Sequence, residues 1–334
     1  MAVATQTLPH LMQCMEVWGG NRAADHGVVM PGLDAWIFSL PLSTNADADQ
    51  AGGDVHFVSS CGTGRIARMV LADVSGHGQT VAAAGQSLRT LMRRYMNYLD
   101  QTRFVEALNR AFSVPEVASG RFATSIAMTF FAPTARLDLC NAGHPRPLRY
   151  RARSRSWDFL IAPEMNGKDD TGNSEGFANL PLGILEPTRY EQFGISLTPG
   201  DLILAYTDAV TESRSPGGEL LGEARLLDMV RSLDAAKPGE LLAELRDRLD
   251  AWRGGEPVDD DLTLLLLRHN GVGTQAPLLR RLAASVQFLG AIARNLVPIG
   301  TRPPIPWPEW RKENLLGALV PKIARSWSAP TEGP

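Results

Sequence analysis

Aspartates placed where apolar runs begin or end constrain this chain more than any other feature. The stretch Leu71–Ala83 reads LADVSGHGQTVAA: an apolar run closes on Asp73, passes through a turn containing Gly76, His77 and Gly78, and opens into a helical pattern. Asp54 in AGGDV, Asp208 in AYTDAVTE and the triplet Asp259, Asp260 and Asp261 in VDDDLTLLLL repeat the arrangement. A strand that starts or stops on a carboxylate delivers it to one rim of a sheet. Several such strands predict a layered fold with an acidic rim.

The remaining pattern says which layers. Strand-like runs are IARMVLADV to Val74, ATSIAMTFF to Phe131, RLDLCNAG to Gly143, PLRYRA to Ala152, DLILAYTD to Asp208 and DLTLLLLRH to His269. Between Gln79 and Leu99, the residues Val81, Ala84, Leu88, Leu91, Met92, Tyr95 and Leu99 recur at three- and four-residue spacing, which predicts an amphipathic helix. Arg103 to Phe112 repeats that spacing, Glu223 to Leu233 forms a third helix, and a fourth starts at Pro238, a residue suited to a first helical turn. Helices fall in two groups with blocks of strands around them. This grouping predicts an α+β sandwich rather than regular βαβ alternation. Two segments rich in Gly, Asn, Asp and Ser, near residues 48 and 170, read as surface loops.

Composition excludes several functions. The net charge of -3 offers no basic field for a nucleic-acid backbone. Cys14, Cys61 and Cys140 are scattered and odd in number, so they make neither a disulfide framework nor a CxxC zinc site, and a reducing cytoplasm is expected. No apolar run is long enough to span a bilayer, and the first residues lack the pattern of a secretory signal. The main folded unit is expected over residues 15–269, because the character of the chain changes after about His269. Residues 270–334 read as a linker, a basic amphipathic helix with Arg280, Arg281 and Arg294 opposite Leu282, Val286 and Leu289, and a proline-rich end. That helix has two readings, packing on protein or lying on an anionic membrane surface.

Close carboxylates repel, so each must be protonated, paired or bound to a cation. Four of them with few nearby Lys or Arg point to divalent ions, and an all-oxygen set favours magnesium or manganese over zinc. Gly76 and Gly78 let the backbone turn sharply beside such an ion or an anion. The competing reading takes the aspartates as turn formers and helix caps. It is weakest for Asp73 and Asp208, each of which follows a strongly apolar run.

At these residues the chain resembles the metal-dependent serine/threonine protein phosphatases, the protein phosphatase 2C-like family, in its bacterial SpoIIE-like branch. AGGDV, LADVSGHG, CNAGHPRPLRY, LPLGI, LTPGDLILAYTDAVTES and DDLTLLLLR follow the family's motifs in order, from roughly residue 15 to 268. The resemblance implies an αββα four-layer sandwich of two antiparallel sheets flanked by helices, with two Mn²⁺ or Mg²⁺ ions at one end. Carried over by position, Asp73 bridges both ions with the Val74 carbonyl as a further ligand, Asp54 holds one ion, and Asp208 and Asp260 hold the other. Asp261 is then structural. The reaction implied is hydrolysis of phosphoserine or phosphothreonine by an activated water, with catalysis resting on Asp73 and Asp208. Gly76 and His77 are candidate substrate contacts. The implied partner is a phosphorylated regulator, such as an anti-sigma-factor antagonist in a partner-switching circuit.

The chain also departs from the pattern. Phe57 stands where the family often has a second acid, in GGDxxD, and Ala209 replaces the usual glycine after Asp208. A phosphatase-fold binding or scaffold module without turnover is therefore the alternative. His144 reads as a packing and turn residue, Glu212 as a turn or supporting residue, and Trp18 and Trp36 as core residues.

Overall fold

The computed structural model describes residues 10–12, 17–42, 51–61, 64–76, 79–96, 98, 100–116, 120–161 and 179–272. The expected loops near residues 48 and 170 fall mainly outside the described residues, as do His77, Gly78 and the tail helix. Among the described residues, no helix is long and apolar enough to cross a membrane.

One sheet runs in the order β1 (His10–Leu11), β3 (Ala24–Met30), β4 (Leu33–Leu40), β13 (Leu262–His269), β12 (Leu202–Tyr206), β9 (Leu148–Arg151) and β10 (Ser156–Phe159). The other runs β11 (Gln192–Ser196), β8 (Arg136–Ala142), β7 (Ala123–Phe131), β6 (Ile66–Val74), β5 (Val55–Ser60) and β2 (Val17–Gly20). Every described pairing between named strands is antiparallel except the two-residue β1 beside β3. Helices α1 (Gln79–Tyr95) and α2 (Gln101–Glu116) cover the second sheet; α3 (Asp208–Glu212), α4 (Gly222–Arg231) and α5 (Pro238–Trp252) cover the first. This is the expected αββα sandwich.

Strand pleating sorts side chains to alternate faces. In β6, Ala67, Met69 and Leu71 enter the cluster between the sheets, whereas Val70, Ala72 and Val74 pack under α1 and α2. β12 divides the same way, with Ile203 and Ala205 between the sheets and Leu202, Leu204 and Tyr206 under the outer helices. Continuing that alternation puts Asp73 and Thr207 on the inner faces, at the ends of their strands. The sandwich core therefore runs directly into an acidic mouth.

The helix after Asp73 stops four residues earlier than its apolar spacing predicts. Arg68, buried beneath the helix end, donates to the carbonyls of Met96 and Tyr98 and to Thr129 Oγ1, so the chain leaves the helix axis to serve it. Burial pulls the Arg68 guanidinium down to about 9, and Asp100 partly restores it. Asp100 also accepts the Arg103 backbone amide at 3.0 Å, an N-terminal cap that starts α2 ahead of the expected Arg103. The run ending in AYTD likewise leaves strand geometry at Tyr206, and Asp208 begins α3.

Candidate active site

The candidate aspartates come from strand ends that share one rim. Asp54 immediately precedes β5, Asp73 is the penultimate residue of the adjacent β6, Asp208 lies two residues past β12, and Asp260 and Asp261 precede the adjacent β13. Antiparallel pairing puts the start of one strand beside the end of its neighbour, which gathers residues distant in sequence.

Electrostatics identifies which carboxylates face one another. Asp73 is pushed up to about 8, first by burial and then by the charges of Asp208, Asp260, Asp261 and Glu212. Asp54 is held well above the usual carboxylate range by burial, by Asp73 and by Asp261, against the opposing hydrogen bonds of Thr263 and Thr207. Asp208 is raised by burial and Glu212, and Asp260 by burial and then by Asp261, Asp208 and Asp259, against a backbone hydrogen bond. Among the described residues, no Lys or Arg is a leading influence on these four carboxyls. The rim is thus a set of carboxylates that raise one another's proton affinity.

Asp54 carries the sharpest sign of a missing positive partner. Its side chain is 2% exposed; Oδ2 accepts Thr207 Oγ1 at 2.9 Å, and Oδ1 has no hydrogen-bond partner. A buried carboxylate oxygen without a donor is costly, and a hard cation satisfies it. Among the described residues, no three His, Cys, Asp or Glu side chains form a ready-made cage. The carboxylates instead face one another across an open rim. Such a rim suits magnesium, which retains several waters and takes only one or two carboxylates.

Asp261 differs from its neighbour Asp260. Its Oδ1 accepts the Leu42 amide and its Oδ2 accepts the amides of Gly53 and Asp54, so it clamps the loop carrying Asp54. This clamp explains the paired glycines. A Cβ on Gly52 would run into the Asp261 carboxylate, and one on Gly53 would lie 2.6 Å from Val81 Cγ1 and 2.9 Å from the Val74 carbonyl oxygen. The Val74 carbonyl therefore faces the Asp54 loop, where the resemblance puts a ligand. Gly76 has φ +101°, open to glycine and strained for other residues.

The supporting residues were less visible in sequence. Thr207 joins both sheets: it donates to Asp54, accepts the Thr263 amide at 2.9 Å, and gives its own amide to the Thr263 carbonyl. Its only sequence signal was its place before Asp208. Thr124 lies opposite Asp73 in the β6–β7 register, and its hydroxyl meets His144 Nδ1 at 2.8 Å. Asn141 closes the turn before His144 with two hydrogen bonds, and burial pulls His144 down to about 3, so it packs as a neutral ring. Phe57 is fully buried under α1 and α2, three residues along β5 from Asp54 and roughly 10 Å away at strand rise.

A four-layer sandwich with carboxylates converging at one mouth defines the protein phosphatase 2C-like fold class. The family model for Stage II sporulation protein E (SpoIIE) matches residues 63–270, and the chain belongs to that family. Phosphoserine phosphatase RsbU of Bacillus subtilis (strain 168) is 26% identical over 243 residues, 71% of this chain and 63% of that protein. Protein IcfG of Synechocystis is 28% identical over 104 residues, 29% of this chain and 16% of that protein. These matches span less than two thirds of either relative. The solved RsbU and RsbW domains of a Mycobacterium tuberculosis protein superpose with TM-score 0.55 at 27% identity, covering 75% of this chain and 62% of that one. The SiaA-PP2C domain of Pseudomonas aeruginosa shares the fold, with TM-score 0.56 at 16% identity over 70% of this chain and 85% of that domain.

Proposed function

We propose that the chain hydrolyses phosphoserine or phosphothreonine on a regulatory protein, using two Mn²⁺ or Mg²⁺ ions held by Asp54, Asp73, Asp208, Asp260 and the Val74 carbonyl. The observation that carries this reading is the unpartnered Asp54 Oδ1 within a rim of carboxylates that raise one another's proton affinity. When bound, the ions lower the pKa of a water and offset charge on the phosphoryl oxygens. Asp73, central to the mutual repulsion, would be the ligand common to both ions. Asp261 and Thr207 hold the Asp54 loop in place, so the rim keeps its shape between turnovers. The turn at Gly76 leaves room for the phosphoryl group beside Asp73.

RsbU, a relative named as a phosphoserine phosphatase, supports the reaction. Phe57 lends no weight to an inactive scaffold. Its side chain points into the apolar layer under the helices, so the acid absent there is not taken from the inner faces that carry Asp54 and Asp73. The test is p-nitrophenyl phosphate hydrolysis with Mn²⁺, with EDTA, and in Asp73→Asn. Mn²⁺-dependent turnover that the variant loses is expected; Mn²⁺ binding without turnover in the unmodified chain would establish the scaffold instead.

A further inference from the structure

A second polar cavity lies beside the acidic rim and has the opposite charge. It measures about 410 Å³ and is lined by Trp18, Arg22, His26, His56, Gln86 and Arg89, together with backbone from Gly19 to Ala24 and Ala51. Among the described residues, no carboxylate lines it. Asp25, the nearest acid in sequence, pairs instead with Arg246. The cavity brings together four elements, with Trp18 from β2, His26 from β3, His56 from β5 and Arg89 from α1.

Two side chains there have polar atoms without partners. His56 is 3% exposed, lines the cavity, and has no hydrogen-bond partner at Nδ1. Arg89 Nε is also buried and unpartnered, although the α1 surface around it is open to solvent. Arg89 is pulled below the ordinary guanidinium range, first by burial and then by the like charges of Arg93 and Arg22. A half-buried cation crowded by two others is relieved by an anion. Trp18 supplies an aromatic wall, its ring held edge-on against His26 with centroids 4.0 Å apart.

We propose that this cavity binds a phosphate-type oxyanion, free or carried on a small organic molecule, with Arg89 as its principal charge partner and His56 Nδ1 as a further contact. The site is separate from the aspartate rim. Asn21 stands between them, and its side chain holds the Gly52 and Ala82 carbonyls, joining the Asp54 loop to α1. An anion in the cavity would therefore lie against Asn21, which holds the loop that positions Asp54.

The experiment titrates inorganic phosphate into the full chain in EDTA, where the aspartate rim repels anions, and follows tryptophan indole and arginine Nε–H signals by NMR. A saturable shift of the Trp18 indole, assigned with Trp18→Phe, is expected. Arg89→Gln should weaken binding about tenfold, as loss of a charge-assisted hydrogen bond implies, while sodium chloride at equal ionic strength should not compete. Gln86→Glu, at an exposed position on α1, should also weaken binding and covers the case in which Arg89→Gln does not fold. Adenosine monophosphate binding tighter than phosphate would identify an ester whose ring lies on Trp18, and equal affinity would identify the bare oxyanion. No saturable shift, or a shift that neither variant alters, overturns the proposal.

Discussion

The core between the sheets and the rim just above it use the same strands in opposite ways. Met69 and Leu71 of β6 are fully buried among apolar neighbours, whereas Asp73, the next inward-facing residue, is half-buried and faces the charges of other carboxylates. Two residues along one strand separate a layer that stabilises the fold from one that strains it. Burial at the rim costs free energy that a bound cation would offset, so rim and core should respond in opposite directions to substitution, pH and metal.

The largest effect expected is on turnover. Asp73→Asn should reduce Mn²⁺-dependent p-nitrophenyl phosphate hydrolysis by more than the roughly 10–100-fold lost when an outer supporting group around a metal is removed. Leu71→Ala, two residues away, should leave the site chemistry in place and destabilise the fold by about 2–5 kcal/mol in urea titrations. Equal loss of activity at matched folded fraction would erase the distinction between the two layers.

The pH response comes next. Asp73 has its carboxyl raised from 3.8 to about 8 in the folded chain, so between those values the folded state binds more protons than the unfolded state. In EDTA the melting temperature should therefore fall as pH rises from about 4 towards 8 and level off above that. Asp73→Asn should flatten the slope and raise the melting temperature at pH 8. Saturating Mn²⁺ should reverse the trend in the unmodified chain, because a cation favours the ionised carboxylates. A melting temperature that climbs with pH in EDTA would contradict the rim's electrostatics.

The smallest effect separates two adjacent aspartates. Asp261→Asn replaces an oxygen that accepts backbone amides, a loss that should outweigh the relief of its charge on Asp73 and Asp54 and cost about 1–3 kcal/mol in thermal or urea unfolding. Asp260→Asn removes charge from the rim, and should weaken Mn²⁺ binding while stabilising the EDTA-treated chain. Calorimetric Mn²⁺ titration of both variants sharpens the contrast.

Much of this was legible in sequence because strand ends are marked by abrupt changes of polarity. LADVSGHG and DDLTLLLL each switch from carboxylate to apolar residue within two positions, and antiparallel pairing does the rest. β3 and β4 were missed: ADHGVVM and LDAWIFSL mix charge and glycine into strands whose register is set by β13 and by each other. Leu99 was assigned to the first helix by spacing alone, which could not foresee that a buried arginine from β6 would claim the carbonyls beyond Tyr95. The resemblance gave Asp261 a structural place, but the three amides it holds come from Leu42, Gly53 and Asp54, which only the fold brings together. The basic cavity was invisible for the same reason, since Trp18, His56 and Arg89 share no motif.

The central claim is that carboxylates from both sheets hold divalent ions at one mouth of the sandwich. Anomalous diffraction from crystals grown with Mn²⁺ tests it most directly. Two peaks are predicted, each within coordination distance of the set Asp54, Asp73, Asp208, Asp260 and the Val74 carbonyl, with Asp73 common to both. Manganese bound elsewhere, or a protein whose aspartate rim stays free of it at saturating concentration, would contradict the account.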